Sequence, residues 1–246
     1  MTHFAVPFHL DDFLSEFTLP VPAKTVAPML PEAAGWARMA ILYEEVAEAI
    51  RPDDRPVVVS GDCTTSLGTL AGLRRRGLDP AVVWFDAHGD LNTPRTSPSG
   101  YLGGMPLAMA LGHGDRMVPR RLRLPRLQPE QVLLVDGRDL DPGERDLMAA
   151  VPVRHAPVGE MSTWLVPDGP VYLHLDLDVL DPEEIPGLRF PAPGGPSLGT
   201  VIEAVRTVMS TGRVVAVGIA CTLLPDGFDD QRTQNVLKAV LSIIEP

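Results

Sequence analysis

The chain has 246 residues and is 45% hydrophobic, enough for one large domain or two small ones with a substantial core. Its formal net charge of −11 argues against nucleic acid or an anionic membrane as a partner. Two cysteines, Cys63 and Cys221, are too few for a disulfide-stapled secreted domain, and no apolar run reaches the roughly 20 residues of a membrane span.

Residues 1–10 lack a basic segment followed by a long apolar stretch, so no secretory leader is expected and a soluble cytoplasmic protein is. The apolar run 4–8 predicts a first strand, and the alanine-rich stretch 31–50 predicts a helix. A β-branched run at 56–60 leads into Gly61, Asp62 and Cys63, followed by a predicted helix over 64–76. The run 81–85 ends in Asp86, His88 and Asp90, and 105–111 is helical in pattern. Arg120, Arg121, Arg123 and Arg126, interrupted by Leu and Pro, read as a solvated loop. A strand over 131–135 leads into Gly137, Arg138 and Asp139, then a helix over 142–149 and a strand over 151–154. The run 171–175 ends in Asp176 and Asp178, and the proline-rich stretch 186–196 is a loop. A helix over 197–210, a strand over 213–220 that leads into Cys221 and Thr222, and a helix over 231–244 complete the chain.

Strand–helix alternation of this kind predicts an α/β fold with a mostly parallel sheet covered on both faces. In such sheets ligands bind beyond the carboxyl ends of the strands. Five chemically rich segments each follow a strand, which brings them to one edge. Asp86, His88, Asp90, Asp176 and Asp178 offer carboxylate oxygens and an imidazole, a donor set suited to divalent cations such as Mn²⁺. A metal-dependent enzyme is expected. The competing reading makes these residues helix caps and turn formers.

The residues from Trp84 through Asp86, His88 and Asp90 to Pro94, with Ser99 and Gly100, resemble the arginase, or ureohydrolase, family. The resemblance spans roughly residues 57–225 and recurs at 137–144, at 175–182 and at 193–197. It implies a three-layer α/β/α sandwich with residues 1–246 as a single arginase-like domain. It also implies two Mn²⁺ ions and hydrolysis of a guanidino group. By resemblance, Asp86 and Asp176 bridge both ions, His88 and Asp178 serve the second ion, and Asp90 serves the first. Asp90 is carried into the catalytic set on the same ground. Asn92 and Ser99 match residues that recognise an α-carboxylate, and Asp141 and Glu144 match residues near an α-amino group. Asp141, Pro142 and Glu144 read equally as a helix start. A small guanidino substrate is the implied partner, and the family's habit of forming trimers or hexamers leaves a homo-oligomer open.

Three departures modify this expectation. Cys63 stands where the family has a metal-binding His, and a soft thiolate weakens a preference for Mn²⁺. A buried thiol with no metal is the alternative. Gly103 stands where the family has a proton-shuttling His, and it moves no proton. Cys221 or Thr222 stands where a guanidinium-binding Glu is usual, and neither is a carboxylate. A substrate already neutral near pH 7, such as an N-hydroxyguanidine, needs less help from those groups. The Cys63 and Gly103 variations are similar to the N-hydroxyarginine-hydrolysing branch. His174 shares a strand face with Asp176 by alternation, a place from which it could replace the shuttle, although a strand His is also commonly structural. The expected products are ornithine and urea or hydroxyurea. The alternatives are an arginase-fold protein that has lost catalysis and binds or regulates, and a hydrolase of another C–N substrate.

Overall fold

The structure is a computed structural model that describes residues 1–33, 35–52 and 55–244. In chain order it contains β1 (Thr2–Val6), β2 (Phe8–His9), β3 (Asp12–Phe13), β4 (Lys24–Thr25) and α1 (Gly35–Ala49). Then come β5 (Pro56–Ser60), α2 (Ser66–Arg75), β6 (Ala81–Asp86), α3 (Pro106–Leu111), α4 (Met117–Arg121) and β7 (Val132–Asp136). The rest is α5 (Pro142–Ala150), β8 (Arg154–Ala156), β9 (Val171–Asp176), α6 (Leu198–Met209), β10 (Val214–Ala220) and α7 (Gln231–Ile244).

Eight strands form one sheet in the order β4-β1-β5-β10-β9-β6-β7-β8, with every pairing parallel. The near-continuous Val, Leu and Ile of the central strands fit them for burial on both faces. Successive residues point to opposite sides. Val57, Val83, Phe85, Leu173 and Val217 pack with Val205 of α6 and Leu237 of α7. Val58, Val82, Trp84, Tyr172 and Ala216 pack with Tyr43, Leu70, Leu107 and Val118 from α1 to α4. The result is the expected α/β/α sandwich. Among the described residues no helix is long and apolar enough to cross a membrane.

The local differences from the pattern have physical causes. The expected strand over 4–8 breaks at Pro7, which has no N–H to give a ladder, and β2 pairs with β3 in an antiparallel hairpin instead. The helix expected over 31–50 spans Gly35–Ala49, and residue 34 lies outside the described residues. The strand expected over 151–154 is displaced to Arg154–Ala156, because the Val151 N–H still closes the last turn of α5 on Leu147 O. The arginine-rich stretch starts inside α4, with its arginines exposed and Leu122 and Leu124 buried beneath them.

Candidate metal centre

The centre lies beyond the carboxyl ends of β5, β10, β9 and β6, the four adjacent strands in the middle of the sheet. Three of them, β5, β6 and β9, end in short turns built by their own carboxylates. Asp62 accepts the Thr64 N–H at 2.7 Å and starts the helical turn that carries Cys63. Asp86 accepts the His88 N–H at 2.7 Å, and Asp176 accepts the Asp178 N–H at 2.9 Å. The turn chemistry that competed with a metal reading in the sequence is therefore present, and it is what aims the ligands. Between Asp86 and Asp90 the chain needs Gly89, where a Cβ would meet Glu144 Oε1 at 2.9 Å, and Asp90 itself adopts a left-handed φ of 53°.

The side chains meet in a pocket of about 150 Å³. His88 Nδ1 lies 3.0 Å from Asp178 Oδ2 and 3.4 Å from Asp86 Oδ1. Cys63 Sγ lies 2.8 Å from Asp176 Oδ2 and 3.7 Å from Asp86 Oδ2. Thus Asp86, His88 and Asp178 form one group with ligand atoms close enough to share a cation, and Cys63, Asp86 and His174 form another. Asp86 belongs to both. Asp176 and Asp90 fall in neither group but line the same pocket.

Four buried carboxylates, Asp86, Asp90, Asp176 and Asp178, crowd this volume, and burial disfavours their charged forms. Burial first, then the neighbouring Asp178 charge, pushes Asp176 up to about 7. Burial and the Asp86 charge push Asp178 up to about 7. Burial lowers the His88 pKa, but its hydrogen bonds to Asp178 and Asp86 outweigh that and raise it to about 12. Burial also raises the Cys63 thiol, so it donates to Asp176 as S–H. Asp90 Oδ2 is buried with no hydrogen-bond partner, against the usual rule for buried polar atoms. Excess negative charge, an orphaned carboxylate oxygen and an oxygen–nitrogen–sulfur donor set fit divalent cations.

His174 sits differently from what strand alternation alone conveys. It is 1% exposed, stacked on Trp84 with ring centroids 3.6 Å apart, and absent from the pocket wall. Its Nδ1 pairs with Ser66 Oγ at 2.9 Å, which in turn accepts from Tyr172 Oη at 2.8 Å. Its Nε2 is buried without a partner. Burial holds it neutral by lowering its pKa to about 3.

The outer half of the pocket collects the expected substrate residues. Asn92 Nδ2 donates to Asp141 Oδ2 at 2.8 Å, and Ser99 lies exposed at the mouth. Asp141 caps α5, and Glu144 accepts both the Asp141 N–H and the Leu91 N–H at 2.9 Å. The helix-start reading of these two residues is thus realised while Asp141 and Glu144 still line the pocket. Thr222, not Cys221, faces the pocket, and its hydroxyl donates to Asp176 Oδ2 at 2.9 Å. Cys221 is buried in the sheet core. Arg138 anchors the Asp178 turn by donating to the carbonyls of Asp178, Val179 and Leu180. Tyr101, Phe190 and Asp139 also line the pocket; the sequence reading assigned them no role. A Cβ on Gly103 would lie 2.2 Å from the Tyr101 ring, so Tyr101 fills the space beside Gly103. The pairing of a large residue with a glycine two positions on was the available signal.

A model of the arginase family matches residues 19–243. The chain belongs to the arginase family. The family is one of metal-dependent amidinohydrolases, which cleave C–N bonds in linear amidines at a binuclear centre. The Nω-hydroxy-L-arginine amidinohydrolase of Streptomyces lavendulae is 36% identical over 88% of this chain and 77% of its own length. The arginase of Bacillus subtilis is 37% identical over 63% of this chain, an alignment that spans 56% of that enzyme. Among solved structures, a Bacillus subtilis arginase superposes with a TM-score of 0.81 at 26% identity, covering 100% of this chain and 99% of that one. An Entamoeba histolytica arginase in complex with L-ornithine shares the fold with a TM-score of 0.82 at 24% identity, over 99% and 97% of the two chains.

Proposed function

We propose that this arginase-family protein hydrolyses the Nω-hydroxyguanidino group of an arginine-like α-amino acid to ornithine and hydroxyurea, in preference to L-arginine. The observation that carries this reading is Thr222. A neutral hydroxyl, already spent on Asp176, sits two residues past β10 at the pocket wall where a guanidinium cation would need a carboxylate. A hydroxyguanidine, neutral near pH 7, has no such need. The similarity to the Streptomyces lavendulae enzyme points the same way.

Asp86, His88, Asp178, Cys63, Asp176 and Asp90 are the residues that would hold two divalent ions, Mn²⁺ by the oxygen and imidazole donors. Paired divalent ions, when bound, activate water near neutral pH and polarise the carbon it attacks. His174, whose Nε2 is buried without a partner, falls within ligand spacing of Cys63 and Asp86, so we assign it to that side of the cluster and not to proton transfer. Asn92 and Ser99 would take the α-carboxylate and Asp141 the α-ammonium. Glu144 holds the Asp141 and Leu91 backbone and so fixes their positions. Phe190, at the mouth, covers the alkyl chain. Steady-state assays of both compounds with Mn²⁺ test the proposal; kcat/KM for L-arginine equal to or above that for the hydroxylated compound sinks it.

A further inference from the structure

Gly103 leaves the pocket without a proton donor at that position, yet the space beside it holds one. The Tyr101 ring occupies the volume a side chain at 103 would enter, and Tyr101 lines the pocket with Cys63, Asp176 and Thr222. Phe190 packs on its ring at 4.6 Å. Behind it lies His9, 8% exposed, with the two rings near parallel at 5.8 Å. Tyr101 Oη is 3.3 Å from His9 Nε2, and His9 Nδ1 is 3.1 Å from the Gly61 carbonyl oxygen.

Building on the amidinohydrolase reading above, we propose that Tyr101, backed by His9, is the proton donor to the departing amine. Both nitrogens of His9 face an oxygen that can accept: the Gly61 carbonyl and the phenol. An imidazolium there keeps both N–H groups bonded and leaves the Tyr101 O–H free to donate into the pocket. A neutral ring keeps Nδ1–H on Gly61 and accepts the phenol proton at Nε2. The pair therefore stays hydrogen-bonded in both protonation states, which is what a relay requires. The acids nearest His9 along the chain elements are Asp12, opposite it in the β2–β3 ladder, and Asp62, whose carboxylate takes the Leu10 N–H.

The step balances. As the C–N bond breaks, its electron pair passes to the departing nitrogen. The Tyr101 proton moves to that nitrogen, and the His9 Nε2 proton moves to the phenol oxygen. His9 is left neutral, and the proton released by the attacking water returns it to imidazolium. The departing amine is the ornithine side-chain nitrogen for either substrate, so the relay serves both.

The test uses Tyr101→Phe, His9→Gln and the double variant in the metal-loaded protein. Tyr101→Phe should lower kcat by roughly 10²–10⁴-fold, the usual worth of a general acid. KM, Mn²⁺ content and melting temperature should stay near wild type. His9→Gln should lower kcat, and should cost little more when Tyr101 is already Phe, because the two act as one unit. Independently of turnover, the His9 Nε2 nitrogen resonance should move in Tyr101→Phe. A kcat within twofold of wild type in Tyr101→Phe overturns the relay, as does an unmoved Nε2 resonance or fully additive losses in the double variant. Wild-type protein that turns over neither compound is a different failure: it overturns the amidinohydrolase reading, and the relay with it.

Discussion

The Cys63 sulfur lies 2.8 Å from an oxygen of Asp176, so the thiol proton sits where a shared cation would bind. A metal at that point must displace it, and burial already disfavours the thiolate. Cys63→His exchanges a soft, protonated ligand for an imidazole, and Mn²⁺ affinity should rise. Titration of the chelator-stripped variant with Mn²⁺ checks this. Unchanged affinity leaves Cys63 a structural thiol.

Asp86 belongs to both groups of metal-sized spacing, and Asp176 bonds both Cys63 and Thr222. Replacing both with Ala should abolish metal binding and bring kcat to background. Elemental analysis of the purified double variant is decisive: full metal content would show the centre to be elsewhere.

The metal-free protein should lose stability as pH rises. Asp176 and Asp178 have folded pKa values of about 7, while free carboxylates titrate near ~4. The folded state thus keeps protons that the unfolded chain has released. The stability this gives is fully present below about pH 4 and is lost as pH climbs through about 7. Melting temperature in chelator should fall from pH 5 to pH 8, and Asp178→Asn should flatten that slope. With Mn²⁺ the sign reverses, because binding expels protons and strengthens with pH. A chelated protein that grows more stable across this range contradicts the carboxylate pKa values.

Thr222→Glu should move specificity toward L-arginine. A charge-assisted bond to the guanidinium is worth roughly 1.5–3 kcal/mol, or about 10–100-fold in the ratio of kcat/KM values. The ratio for the two substrates is the measurement, since it cancels any general loss from removing the Thr222–Asp176 bond. A ratio that stays at the wild-type value removes Thr222 as the specificity element.

Much of this was legible in the sequence because parallel strands buried on both faces write themselves as apolar runs. Runs such as 81–85 and 171–175 could hardly be anything else, and the carboxylates ending them marked the site edge. The two-residue strands β2, β3 and β4 are too short to carry a period of their own, and Phe8 of β2 merges in the sequence with the run that forms β1. His9 lies on one of them. Only the fold brings it to Gly61, 52 positions on, and to Tyr101, 92 positions on. His174 was legible as a residue on the ligand face, but its stacking on Trp84 depends on the β6–β9 register that sets those two residues opposite each other.

The strand order has a consequence for how the protein is made. Within this sheet β9 and β10 come last in chain order, and they insert between β5 and β6, which are made much earlier. A nascent chain ending before β9 therefore carries Cys63 and Asp86 on strands with a two-strand gap between them. The sheet's middle closes late, through pairings of high sequence separation, which is the regime of slow folding. Metal uptake thus waits on β10: a chain cut short of it would hold all six proposed ligands and still lack the strand that joins β5 to β9.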